Sequence, residues 1–151
     1  MRMYSANGPT NTASTGPKTM VEVVGSTTIR AQVCDLTVGN ASTPNATDFQ
    51  LQVAVSRLTA TGTGTAFTPL TLDPGEIAAS ASCKITMSAE VTYTANSDLL
   101  SFYMNQRATY RWVAQDGREL YSTASSGNGL GLRMITAGQS MLCQGTVMWK
   151  E

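Results

Sequence analysis

The chain has 151 residues, of which 42% are hydrophobic and only 13% carry a charged side chain. This length and hydrophobic content predict one ordinary folded domain with a proper core, and they exclude a chain that is disordered throughout. Ten acidic and ten basic residues give a formal net charge of zero. The charge therefore gives no reason to expect nucleic acid or an anionic membrane as a partner.

The low charge itself has two interpretations. The surface belongs either to a β-rich domain covered with threonine, which suits strands, or to a protein that faces other subunits, where charged residues are depleted. Seven arginines stand against three lysines. Arginine is preferred over lysine at protein interfaces, which favours the second interpretation.

Residues 1–17 read MRMYSANGPTNTASTGP and hold few hydrophobic side chains. This composition predicts a flexible N-terminal arm that becomes ordered only against a partner, followed by a single β-sandwich domain over residues 18–151. The arm has no apolar run that could form the core of a signal peptide, and no window reaches the length of a transmembrane helix. We therefore expect synthesis in a cytoplasm and no membrane partner.

From Lys18 onward, apolar and polar residues alternate with the period of two that is typical of half-buried strands. The runs are 20–24, 29–38, 48–58, 83–95, 99–104, 107–114 and 141–149. In the second run the apolar positions change from odd to even between Val33 and Cys34. A change of phase inside a strand predicts a β-bulge at this point.

Residues 58–76 read LTATGTGTAFTPLTLDPGE, and three interpretations of this stretch compete. It could be a phosphate-cradling loop, a flexible linker between domains or a long connection inside one β-domain. Asp73, Pro74 and Glu76 suit the start of a helix, so residues 77–81 are a candidate short helix, with a strand as the alternative. No lysine follows the Thr-Gly repeat and strands flank it, which favours the connection.

Further along the chain, Asp116-Gly117 stands between two apolar segments and predicts a hairpin with a type I′ turn. The glycines of residues 125–131 predict a loop rather than a nucleotide-binding motif, because the strand–turn–helix context is missing. About eight short strands with at most one short helix predict an all-β fold, an antiparallel β-sandwich or jelly roll.

The chain contains no histidine, which excludes Ser-His-Asp and Cys-His catalysis and histidine metal sites. Cys34, Cys83 and Cys143 are far apart and are expected to be buried thiols. The carboxylates are scattered, so a hydrolase would require two of them to meet in a cleft. We expect no catalytic site, no metal site and no cofactor.

Four groups of residues are candidates for an interface. Arg107 and Arg111 would share one face of a strand, where they are either solvated, paired with Glu90, or paired with a partner's carboxylates. Arg57 continues the apolar phase of its strand and needs a partner if it is buried. The arm and the threonine-rich loop supply the others. The complete predicted set is Met3, Tyr4, Arg57, Thr61, Thr63, Thr65, Arg107 and Arg111.

A strand that ends at Arg57 precedes LTATGTGTAFTPLTLDPGE; the segments NQRATYRWV, GREL and NGLGL follow it in that order. This succession resembles small virion proteins of tailed bacteriophages, a group that includes capsid decoration, or cement, proteins. The resemblance covers most of the chain, from Lys18 to Trp149, and identifies no contact residues.

The resemblance implies a β-sandwich bound in many copies to the outer face of a phage head, after synthesis in the bacterial host cytoplasm. Its partners would be the major capsid protein and itself, as a trimer or dimer over the joints between capsid subunits. The alternative is a carbohydrate- or receptor-binding module of a phage tail or fibre. That function would need an exposed aromatic platform, for which Trp112, Tyr121 and Trp149 are the candidates.

Overall fold

The structure, a computed structural model, describes residues 1–10 and 14–151, and these contain twelve β-strands and no helix. The strands are β1 (Met3–Pro9), β2 (Lys18–Val24), β3 (Gln32–Asn40), β4 (Gln50–Ala60), β5 (Thr63–Phe67), β6 (Leu70–Thr71), β7 (Ser82–Ala89), β8 (Thr92–Asn105), β9 (Tyr110–Val113), β10 (Leu120–Tyr121), β11 (Gly129–Ala137) and β12 (Cys143–Lys150).

All strand pairs are antiparallel and form two sheets. Sheet I has the order β10–β3–β12–β1–β6, and β9 pairs with β3 along the same edge as β10. Sheet II has the order β5–β7–β2–β11–β4–β8. Apolar side chains from both sheets form one buried cluster between them, so the fold is the antiparallel β-sandwich that the alternation predicted.

The core is built around large side chains that are fully shielded from solvent. Tyr4 and Trp149 lie with ring centroids 6.0 Å apart on adjacent strands of sheet I. At one side of the sandwich, Phe102 of β8 stacks on Tyr110 of β9 with a centroid separation of 3.8 Å. This stack joins the β8 edge of sheet II to the β9–β10 edge of sheet I.

The prediction of a flexible arm is wrong for Met3–Pro9, which form an interior strand between β12 and β6. Tyr4 and Ala6 point into the core and are 0% exposed. The alternation was hard to recognise in the sequence because, of the three buried residues of β1, Tyr4 is large whereas Ala6 and Gly8 are small. Ser14 forms a bridge with Met141, and the part of the prediction that concerns residues 11–13 lies outside the described residues.

The predicted β-bulge is confirmed in β3. Met148 of β12 pairs with Asp35, and the next residue, Trp149, pairs with Val33. Cys34 is therefore the extra residue of the bulge, which explains why the apolar phase changes there.

Residues 58–76 are not a simple connection, because they include the end of β4, all of β5 and the short β6. The predicted helix after Asp73 is absent; this residue begins an isolated turn, in which its carboxylate accepts a hydrogen bond from Gly75 N–H at 2.9 Å. The amides of Ser80 and Ala81 donate to the carboxylate of Glu151. A helix this short is marginal in water, so these tertiary hydrogen bonds decide the conformation.

The Asp116-Gly117 hairpin prediction is also wrong. β9 and β10 both pair with β3, at Asp35–Val38 and at Gln32–Val33, and the residues between them loop out of the sheet edge. Only Gly117 has a positive φ, of 80°, whereas a type I′ turn requires positive φ at both central residues. The alternating run 83–95 is likewise divided between β7 and β8.

The chain crosses the outer face of sheet II between β7 and β8, because β2, β11 and β4 lie between these strands in the sheet. Val91 packs with Val24 and Leu58 in a small second cluster. Tyr93 lies over β2 and β11, and its hydroxyl shares a hydrogen bond of 2.8 Å with the hydroxyl of Thr19. The crossing segment therefore buries polar groups on the outer face of the sheet.

Gly131 permits this crossing because the Tyr93 ring lies where a side chain would be. A β-carbon at Gly131 would lie 2.3 Å from the Tyr93 hydroxyl oxygen. The ring cannot easily move, since its hydroxyl is bonded to Thr19 and the guanidinium of Arg133 stands 4.0 Å from its centroid. The sequence analysis assigned Gly129–Gly131 to a loop, but these residues begin β11.

We expect Gly131→Ala to lower the free energy of unfolding by about 1–3 kcal/mol, the usual cost of an overpacked site. Urea denaturation at equilibrium would measure it. Gly127→Ala is the matched control, because a β-carbon there meets nothing within 4 Å, and we expect it to change stability by less than about 0.5 kcal/mol. Equal stability of the two variants would contradict this account.

Candidate functional site

The described residues hold no group of three or more His, Cys, Asp or Glu side chains that could bind a metal ion. The three cysteines are free and buried, as expected. Burial raises the pKa of Cys143 to about 11 and also raises the pKa values of Cys34 and Cys83. All three are therefore protonated thiols at neutral pH, whereas the reactive form of cysteine is the thiolate.

Most charges are paired inside the molecule. The ion pairs are Arg2–Glu76, Lys18–Glu90, Lys84–Glu22, Arg107–Asp48, Arg111–Asp35, Arg133–Asp98 and Lys150 with both Asp116 and Glu119. The solvent-exposed pairs among them, such as Arg2–Glu76 and Arg107–Asp48, contribute only about 0–1 kcal/mol each to stability. The larger effect of these ion pairs is to neutralise charges within the molecule, so that few charges on the surface are available to a partner.

Arg107 and Arg111 do not form a ladder. Arg111 of β9 donates from two nitrogens to the two carboxylate oxygens of Asp35, a fork that fixes the side chain along the sheet. Arg107 lies in a turn before β9, where it donates to Asp48 and to the carbonyl of Asn45. Neither arginine pairs with Glu90, and both have their charge neutralised within the chain.

The other predicted interface residues are dispersed over the molecule. Arg57 is half-buried and donates to the carbonyl oxygen of Tyr121 at 3.1 Å, so its partner is a backbone group of sheet I. Thr61, Thr63 and Thr65 are exposed at the β5 edge of sheet II.

Met3 is half-buried, and Tyr4 belongs to the core. Tyr4 is fully shielded from solvent and cannot contact a partner without unfolding, so its place in the predicted interface is wrong.

A groove of mixed polar and apolar lining opens between the β8 edge of sheet II and the β9–β10 edge of sheet I. We call it the edge groove; it has a volume of about 410 Å³, and its lining residues are Leu99, Leu100, Trp112, Val113, Ala114, Gln115, Arg118 and Leu120. Val113 is 56% exposed and Leu99 is 36% exposed. The groove lies above the Phe102–Tyr110 stack, where the two sheets meet.

Arg118 is the charged residue of the edge groove. No hydrogen bond or ion pair joins its guanidinium to any described residue. Arg30 and Arg57 also lack a carboxylate partner, but both donate to backbone carbonyls near the end of sheet I. Arg118 therefore presents an unpaired guanidinium beside the exposed side chains of Leu99 and Val113.

A second apolar surface lies at the opposite edge of sheet I. We call residues 70–77 the corner loop: it contains β6 and the turn at Asp73, and it exposes Leu70 by 55%, Leu72 by 46% and Ile77 by 60%. Its position is fixed, because Tyr4 donates to the Ile77 carbonyl at 3.1 Å and Leu72 N–H donates to the carbonyl of Met3 at 3.0 Å.

The sequence analysis missed both surfaces. The edge groove combines residues of β8, β9, β10 and the β9–β10 loop, so no local pattern marks it. The corner loop had a usable signal: two leucines and an isoleucine flank an Asp-Pro-Gly turn, where buried positions are uncommon. One of the three candidates for an exposed aromatic platform is also removed, since Trp149 is 0% exposed.

Comparisons with known proteins add no relative to this description. No protein-family model matches the chain, and searches of curated proteins and of solved structures find no match. Over the described ranges, 1–10 and 14–151, there is also no helix long and apolar enough to span a membrane.

Proposed function

We propose that this protein is a structural virion component that binds the outer face of a phage head and stabilises contacts between major capsid subunits. One observation carries the proposal. A rigid sandwich whose charges are mostly neutralised internally exposes apolar side chains at both edges of one sheet, namely in the edge groove and in the corner loop. Exposed apolar patches on a soluble domain mark surfaces that bind other proteins.

The proposed mechanism is binding without catalysis. Apolar contacts supply the attraction, and the low surface charge avoids the cost of desolvating unpaired ions at a protein interface. The β-sandwich itself changes little on binding, because its strands are tied to one another along their whole length. The choice of the phage head as the partner rests on a resemblance: the sequence segments between Arg57 and Leu132 follow one another in an order similar to that in small virion proteins.

The test requires a phage whose genome carries this sequence. Virions are purified with and without the gene, and the purified protein is added back to heads that lack it. We expect saturable binding in fixed proportion to the major capsid protein, and heads that release DNA at a higher temperature when the protein is bound, since a ligand of the assembled state stabilises it.

Heads that bind none of the added protein would overturn the proposal. Recovery of the protein from tails or fibres, at the low copy number of those structures, would also overturn it and favour the receptor-binding alternative. Heads that bind the protein but gain no thermal stability would contradict the stabilising role alone.

A further inference from the structure

The corner loop and the edge groove each expose apolar side chains and one unpaired charge, and these two charges, on Asp73 and Arg118, are opposite. We propose that copies of this chain associate head to tail, with the corner loop of one copy bound in the edge groove of the next. The inference goes beyond the proposed function and does not depend on a capsid, because both surfaces belong to this chain.

The charges identify the pairing. Among the acidic residues, Asp73 and Glu151 are the two without an ion pair to a described cation, and Glu151 is occupied by the amides of Ser80 and Ala81 and the indole of Trp149. Asp73 is exposed, and among the described residues its carboxylate accepts only the Gly75 N–H of its own turn. The corner loop has two carboxylates: Glu76 is paired with Arg2, whereas Asp73 has no cation among the described residues, just as Arg118 of the edge groove has no anion.

Apolar side chains surround each of these charges. Leu72 directly precedes Asp73, and Leu70 and Ile77 are exposed on the same loop. In the groove, Leu99, Trp112 and Val113 lie with Arg118 around the same cavity of about 410 Å³, within the range of about 300–1,000 Å³ that is typical of concave binding sites. Leucine and isoleucine side chains of a neighbouring copy would cover these residues while Asp73 meets Arg118.

The sheet order determines the geometry of the association. The corner loop extends from β6 at one edge of sheet I, and the groove lies beside β9 and β10 at the other edge. A contact between two different surfaces of identical chains is heterologous, so it generates a ring if the rotation closes and a filament if it does not. A two-fold dimer through one shared patch is not what these surfaces predict.

The experiment needs only the purified protein. Its mass is measured by light scattering over a concentration series for the wild type, for Asp73→Lys and for Arg118→Glu. We expect the wild type to associate with increasing concentration. Each single substitution places like charges at the contact and should raise the dissociation constant by at least about tenfold.

Two combinations make the test specific. The double variant Asp73→Lys/Arg118→Glu should regain association, because the charges of the pair are exchanged. A mixture of the two single variants should also associate although neither does so alone, since the intact groove of one matches the intact loop of the other. Gln144→Glu, an exposed position on β12 in the middle of sheet I, should leave association unchanged.

Circular dichroism verifies that every variant is folded. Asp73→Asn keeps an oxygen acceptor for Gly75 N–H, so weaker association in this variant reports the lost charge and not a lost turn. A wild type that stays monomeric at about 100 μM, a scale that would detect weak contacts, overturns the proposal. So do single variants that associate normally, or an exchanged pair that fails to restore association.

Failure here and failure of the capsid proposal are distinguishable. A monomeric protein that still binds heads would refute the head-to-tail contact and leave the capsid role intact. An Arg118→Glu variant that self-associates but loses head binding would assign the edge groove to a capsid segment instead.

Discussion

We expect Tyr4→Ala to lower the free energy of unfolding by about 3–5 kcal/mol, the range for removing a large aromatic side chain from a packed core. Tyr4 is 0% exposed, and its ring lies beside that of Trp149. A cavity at this place would separate β1 from the sandwich interior. Urea denaturation followed by tryptophan fluorescence would measure the loss, because Trp149 lies next to the altered site.

Tyr4→Phe is the matched control. It keeps the ring and removes only the hydroxyl, which donates to the Ile77 carbonyl at 3.1 Å. One such hydrogen bond contributes about 0.5–1.5 kcal/mol, so the two variants should differ by several-fold in their effect. If alanine costs no more than phenylalanine, then β1 does not belong to the cooperative core and the original prediction of a loose arm regains support.

Substitution of Glu22 is the second change that we expect to alter stability strongly. Its side chain is 1% exposed beneath the crossing segment, where it accepts a hydrogen bond from Gly62 N–H at 3.0 Å and lies 4.0 Å from the ammonium of Lys84. We expect Glu22→Ala to lower the free energy of unfolding by about 3 kcal/mol, because the buried Gly62 amide loses its acceptor and the truncated side chain leaves a cavity.

Glu22→Gln should behave differently. The amide oxygen still accepts from Gly62 N–H, and Lys84 keeps its hydrogen bond of 2.8 Å to the Gly62 carbonyl. The substitution removes only the ionised form, which burial disfavours. We therefore expect the glutamine variant to be at least as stable as the wild type at neutral pH, with thermal denaturation as the measurement.

The pH dependence of stability follows from the direction in which the pKa of Glu22 is shifted. Burial raises the pKa of Glu22 above its ordinary value, against the opposing effects of Gly62 and Lys84. The folded state thus holds this proton more firmly than the unfolded state. The contribution to stability is greatest below the ordinary pKa of a glutamate and decreases as the pH rises through the raised value.

Glu22→Gln abolishes this contribution, so its stability relative to the wild type should increase from about pH 4 to about pH 7. Denaturation curves for both proteins at each pH provide the measurement. A stability difference that is constant between these pH values would show that Glu22 does not titrate differently in the folded state.

The sequence predicted the fold class because alternation with a period of two shows which side of a strand is buried. Most of the long alternating runs in this chain do form strands with one buried face. It located the bulge at Cys34 for the same reason. It failed where neighbouring segments decide the conformation. Asp73, Pro74 and Glu76 are helix-start signals, but Glu151 binds the amides of Ser80 and Ala81, and the segment is irregular instead of helical. Tyr4 was missed because small residues complete its row.

The candidate site was less accessible to prediction than the fold. Single residues such as Arg111 look available in the sequence, yet Asp35 on the neighbouring strand neutralises this one. The reverse holds for Arg118, which attracts no attention in the sequence and is left without a carboxylate by the fold. Which charges stay unpaired depends on which strands become neighbours, as β9 and β3 do here, and no local pattern in the sequence encodes that order.

The pairing of β1 with β12 has a consequence for how the chain folds during its synthesis on the ribosome. Met3 pairs with Lys150, and Arg2 and Glu151 exchange two backbone hydrogen bonds. β1 leaves the ribosome long before β12 and must therefore wait for this partner. At about 5–20 residues per second this delay is on the order of ten seconds, during which the exposed strand Met3–Pro9 is a target for chaperones or for pairing with another nascent chain.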